Sequence, residues 1–191
     1  MHWLYPRWPH RPSLVCLRHP RTEGYYTSTV PFGSRIGDTV SETGKRSPFL
    51  RWKMRSWWLA AVDDRIAAAV GVACLTRYQN LIAHGQLRAH GVYYFSFGLL
   101  KHFDTEAVLA LIAPRPFLAL TGDLDAGSPA DGIRVLEEKA GAAYAALGAR
   151  EKFRSVLYPG VGHAYTPEMR AEMLRWFGRW LQPAPGRDPR P

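Results

Sequence analysis

Cysteine is scarce: Cys16 and Cys74 are the only two in 191 residues, too few and too far apart for a disulfide framework or a cysteine metal cluster. Both read as thiols. No run approaches the ~20 consecutive apolar residues of a membrane-spanning helix. The opening MHWLYPRWPHRPSLVCL places charge and proline where an export signal carries its apolar centre. These absences predict a cytoplasmic protein with no membrane partner. Regular periodicity is also lacking over the first quarter, where no helical or alternating apolar pattern is sustained. That quarter contains six of the fifteen prolines.

The charge is uneven. The chain carries +9 overall, but residues 1–55 hold ten Lys or Arg against three acids, whereas residues 56–191 hold fifteen against thirteen. The excess therefore belongs to the N-terminal segment. It is mixed with proline and carries no recognisable nucleic-acid motif, so no nucleic-acid partner is expected. Three segments follow: a basic, Pro-containing stretch over 1–55, a globular unit over 56–181, and a Pro-rich, charged tail over 182–191 that is expected to fray.

From Ser56 onward, pattern returns. SWWLAAVDD reads as a short helix, and RIAAAVGVACL as a buried strand spanning about 66–74. A glycine- and aromatic-rich stretch without a clear period follows. DTEAVLALIA predicts a helix with Asp104 or Thr105 near its cap, stopped before Pro114 and Pro116. PFLALTG is a second apolar strand. An amphipathic helix then carries Ile133, Leu136, Ala140 and Tyr144 along one side and stops at Gly148. FRSVLYPG is a third strand. The last helix opens at Thr166 and Pro167 and shows Met169, Met173, Trp176, Phe177 and Trp180 at helical spacing. Trp57, Trp58, Trp176 and Trp180 are expected to pack helices against the sheet.

Strands alternating with helices predict an α/β fold with a parallel sheet covered on both faces. Such sheets carry their chemistry beyond the carboxyl ends of the strands, where TGDLDAGSP follows the second strand and PGVGHAY the third. A carboxylate on one loop and a histidine on the next form a chemical pair. The imidazole can take a hydroxyl proton while the carboxylate holds its other nitrogen in the right tautomer. Asp123 and Asp125 both fall in the first loop, and either could instead shape a turn and cap the following helix. His84, His90 and His102 lie in the periodless stretch without the carboxylate or cysteine complement of a metal site, and read as surface or pocket lining. No metal and no cofactor is expected.

The stretches SWWLAAVDDRIAAAVGVACLTRYQNLI, HFDTEAVLALIAPRPFLALTGDLDAGSP and VLYPGVGHAYTPEM resemble the C-terminal half of an α/β-hydrolase of the acetyl xylan esterase and dienelactone hydrolase-like group. The resemblance implies an α/β-hydrolase sheet whose N-terminal half is missing or degenerate. It maps the Gly-x-x-Asp turn onto Gly122 and Asp125, and the Gly-x-Gly-His motif onto Gly160, Gly162 and His163. It also implies a serine ester hydrolase acting on a small acyl ester, with Asp125 as acid and His163 as base.

The nucleophile departs from that pattern. No Gly-x-Ser-x-Gly elbow occurs anywhere in the chain, and the position expected for its serine is Leu50. Ser41 and Ser47 are the nearby serines, and neither has the glycine neighbours a strained elbow needs. The loop that supplies an oxyanion-hole amide in this group is not recognisable either. These departures predict little or no esterase activity and keep a second reading open, that of a noncatalytic hydrolase fragment or pseudoenzyme. A frame error or truncation would produce such a pattern.

Overall fold

The computed structural model describes residues 16–18, 25–27, 56–90 and 94–181. Ser41, Ser47 and Leu50 lie outside the described residues. Within the N-terminal segment, β1 (Cys16–Arg18) and β2 (Tyr25–Thr27) pair antiparallel, Leu17 opposite Tyr26. The sequence reading assigns no strand here, because three residues are too few to display an alternation.

The body of the fold is a parallel three-stranded sheet in the order β3 (Ala69–Val72), β4 (Phe117–Gly122), β5 (Phe153–Tyr158). Its three strands fall inside the spans read from the sequence, though β3 is shorter than expected. Ala73 takes a positive φ of 47° immediately after it, a backbone state that ends extended structure. The register sets Ala69 against Phe117 and Phe117 against Phe153, then runs unbroken to Gly122 against Tyr158.

Period-two alternation divides the side chains of β4 between two cores. Phe117 and Ala119 face one side, with Trp57, Val108, Leu109, Ile133, Leu136 and Tyr144. Leu118 and Leu120 face the other, with Val70, Val72, Met169, Met173, Trp176 and Phe177. The first core is closed by α1 (Ser56–Val62), α2 (Tyr78–Ala83), α3 (Thr105–Ala110) and α4 (Ala130–Ala146). The second is closed by α5 (Pro167–Trp180), where the Thr166 side chain caps the Met169 amide and Pro167 occupies the first turn. Proline costs nothing there, since that amide has no helical partner. Trp57 and Trp176 are buried as expected, while Trp58 and Trp180 are half-buried against the same cores.

Helix α2 sits inside the stretch that lacks an apolar period. Its turn is held from outside: the buried Asp104 carboxylate accepts the Tyr78 and Gln79 amides, each at 2.9 Å, and the Thr105 amide at 2.7 Å. One side chain thus caps both α2 and α3, satisfying donors that a helix start leaves without internal partners. Arg115 serves the other end of the layer. Its guanidinium donates to the carbonyls of Ala60, Asp63 and Ile66 at 2.6, 2.8 and 3.1 Å, tying off the end of α1. No helix among the described residues is long and apolar enough to cross a membrane.

Glu106, in the first turn of α3, joins three parts of the helical layer through Arg77 at 3.1 Å and Lys139 of α4 at 2.8 Å. Burial raises its carboxyl, but the hydrogen bonds from Lys139, its own backbone amide and Arg77 together outweigh that and hold it below its ordinary 4.5. A depressed folded-state value means the stabilisation is fully present above the ordinary carboxylate range and is lost as pH falls through the folded value. Comparing acid unfolding of the wild type and Glu106→Gln should show a stability difference that is constant near neutrality and shrinks below pH ~4.5. A gap that stays constant down to the acid transition would refute the ion-pair account.

Candidate active site

The loops after β4 and β5 lie side by side at the carboxyl end of the sheet. Register alone brings their roots together, because Gly122 is opposite Tyr158. Backbone bonds then continue beyond the strands: the Asp123 amide donates to the Tyr158 carbonyl at 3.1 Å and the Leu124 amide to the Val161 carbonyl at 2.9 Å. This approach explains the first glycine of the Gly-x-x-Asp turn. A Cβ at Gly122 would stand far inside van der Waals contact of the Val161 carbonyl oxygen and 2.5 Å from that of Gly162. Gly160 is needed for a different reason, its left-handed φ of 71°.

The two aspartates of the first loop divide their work. Asp123 Oδ1 accepts the Gly160 amide at 2.8 Å and so ties the loops together. Asp125 is the one that reaches the histidine, with Oδ2 2.9 Å from His163 Nδ1. Its other oxygen accepts the Gly127 amide at 2.9 Å, while its backbone closes a turn through Asp125 N to the Gly122 carbonyl and Ser128 N to the Asp125 carbonyl. The Asp125 side chain is 2% exposed and that of His163 27%. A carboxylate buried to this degree needs partners for its oxygens, and both have one. An ionised carboxylate only accepts hydrogen bonds, so His163 donates from Nδ1, and in the neutral form of the ring the basic lone pair is on Nε2.

The other histidines separate. His84 is exposed and its Nε2 lies 3.1 Å from both Asp131 oxygens, and His102 is exposed as well. His90 does not fit the surface or pocket-lining reading. It is buried, with Nε2 2.6 Å from the Gly127 carbonyl and its ring stacked on Tyr94 at 4.1 Å between centroids. A carbonyl only accepts, so Nε2 is the protonated nitrogen. Sequence gave no signal for this contact, since 37 residues separate the partners and no period links them. Among the described residues no three His, Cys, Asp or Glu side chains gather as metal ligands do.

Over 65% of this chain, the glucuronoyl esterase catalytic domain of Hypocrea jecorina superposes with a TM-score of 0.54 at 16% identity, using 40% of that chain. A carbohydrate esterase family 15 glucuronoyl esterase from Caldicellulosiruptor kristjansonii gives 0.53 at 21% identity, over 65% of this chain and 39% of that one. The fold is that of the α/β-hydrolase-like esterases. A glucuronoyl esterase from Solibacter usitatus gives 0.52 at 15% identity, covering 68% and 40% of the two chains. In sequence, the chain is 38% identical over 128 residues to the Bacillus subtilis (strain 168) protein named "Putative hydrolase YtaP". That match covers 67% of this chain and 42% of the relative, so the chain spans well under half the length of the protein it matches. No protein-family model matches the chain.

In this α/β-hydrolase-like unit, the loop contact at Gly122 makes a direct forecast. Gly122→Ala must push the second loop away at the backbone, which cannot yield as a flexible side chain does. It should cost about 3 kcal/mol, the upper end of ordinary overpacking, and shift the amide resonances of residues 160–164 in a ¹⁵N correlation spectrum. Wild-type stability with unmoved resonances would contradict the close approach.

Proposed function

We propose that this chain is a serine ester hydrolase by lineage, acting on a small acyl ester, in which Asp125 orients His163 and His163 is the base. The observation carrying the proposal is the 2.9 Å bond from the buried Asp125 carboxylate to His163 Nδ1, on adjacent loops at one end of a parallel sheet. The likeness of fold and sequence to hydrolases and esterases supports the reaction class.

The chemistry follows from the tautomer. With Nδ1–H committed to Asp125, Nε2 takes the proton of a serine hydroxyl as its oxygen attacks the ester carbonyl carbon. The imidazolium that forms is stabilised by Asp125, and returns its proton to the departing alkoxide as the acyl-enzyme forms. Water, deprotonated by the same nitrogen, then releases the acid and restores the serine. Ser41 and Ser47 are the candidates for the attacking hydroxyl, and the elbow that normally holds it is absent from the sequence. Turnover is therefore expected to be slow, since attack depends on a nucleophile held in reach and alignment.

A fluorophosphonate reacts only with an activated serine, which makes it the direct test. Labelling of the wild type should be slow, as the missing elbow implies, should disappear in one of Ser41→Ala and Ser47→Ala, and should fall about 10³-fold or more in rate in His163→Ala. Folded wild-type protein that takes no label would reject the proposal and leave a noncatalytic hydrolase-fold chain.

A further inference from the structure

The acid loop has a support that the chemistry above does not use. Asp125 divides its two oxygens, Oδ2 to His163 and Oδ1 to the Gly127 amide. The orientation of the carboxylate therefore depends on where residue 127 sits. A loop glycine is the residue least able to hold a position by its own side chain. Here its carbonyl accepts from His90 Nε2 at 2.6 Å. A Cβ at position 127 would come 3.3 Å from both Asp125 Oδ1 and His90 Nε2, so the imidazole and the carboxylate both close on the place where a side chain would stand.

His90 is itself held. Its ring stacks on Tyr94 at an interplanar angle of 14°. The Tyr94 hydroxyl donates to the Cys74 carbonyl at 2.8 Å, and the Tyr78 hydroxyl donates to the Tyr94 carbonyl at 2.6 Å. Burial pushes the Tyr94 phenol well above its ordinary range, and burial also pushes that of Tyr78 up to about 12, so both remain neutral donors at ordinary pH. Cys74 lies just beyond β3, the strand next to β4. The platform thus runs from the end of one strand to the acid loop of its neighbour.

We propose that His90 is a positioning residue for the Asp125–His163 pair: by holding the Gly127 carbonyl it fixes the turn whose amide orients Asp125, and so sets the carboxylate presented to His163. The proposal rests on the reading of that pair as acid and base. His90 does not touch the reacting atoms. Its effect passes through Gly127 and Asp125 to the tautomer of His163, which a role confined to packing would leave alone.

The test is imidazole ¹⁵N and ¹H NMR on the full chain, which reads His163 directly whether or not the protein turns over substrate. In the wild type, neutral His163 should show the Nδ1–H tautomer and a hydrogen-bonded Nδ1 proton. Asp125→Asn tests the underlying pair, and a His163 spectrum it leaves unchanged would sink the acid–base reading itself. His90→Phe keeps a ring to stack on Tyr94 but removes the donor. It should cause loss of the Nδ1 proton signal through solvent exchange and shift the ¹⁵N pair towards a tautomer average. His90→Gln, whose amide nitrogen reaches the place of Nε2, should restore both. If His90→Phe does not fold, His90→Asn serves in its place, because its amide stops short of the Gly127 carbonyl. A folded donor-less variant with a wild-type His163 spectrum, or a His90→Gln protein that behaves like His90→Phe, would overturn the proposal while leaving the Asp125–His163 pair intact.

Discussion

The site depends on one steric fact: two backbones touch at the end of the sheet. Parallel pairing ends at Gly122 opposite Tyr158, yet the chains continue together, with Leu124 bonded to Val161 and no room for a Cβ between them. Strands that separated at their ends would leave Asp125 and His163 on independent loops. Held in contact, the loops bring a buried carboxylate to an imidazole with little left to order when the pair forms. The conformational cost is met during folding, by the sheet.

Around that contact the aspartates are not interchangeable. Asp123 binds a backbone amide of the opposite loop and is partly exposed, whereas Asp125 is buried and binds a side chain that can change its charge. Removing a partner from a buried carboxylate leaves an uncompensated acceptor, a larger penalty than any gain from making the bond. The turn around Gly127 therefore matters to the pair as much as the pair's own distance does. His90, Tyr94 and Cys74 extend the same logic back to the neighbouring strand.

The helical layer behind the site obeys a similar rule of satisfied polar groups. Asp104 closes the starts of two helices and Arg115 gathers carbonyls at the end of a third. Each is one side chain replacing several local caps. Such residues let short helices persist, though helices of six or seven residues are too short to be stable alone. The layer then covers β4 on one face while α5 covers the other, and the strand that carries the acid is sealed on both sides.

Much of this was legible in the sequence. Short apolar runs such as FLALTG, bounded by proline and glycine, read as buried strands, and the spacing of Met169, Met173, Trp176 and Phe177 lays out one helical face, so the α/β order followed from pattern and punctuation. The polar loops after the second and third apolar strands stood out by composition, and the resemblance to the hydrolase group implied Asp125 and His163 within them. Helix α2 was not legible, for its cap comes from Asp104, 26 residues away from Tyr78. Nor was the choice between Asp123 and Asp125 settled by the turn chemistry, which suits both. Sequence by itself determined the strands, the helical faces and the two polar loops, because those are set by local period and backbone preference. Only the tertiary structure puts Asp125, the carboxylate that the Gly-x-x-Asp spacing favoured, 2.9 Å from His163 and sets His90 behind it, because these contacts depend on the register of β4 against β5 and on the path of the chain after β3.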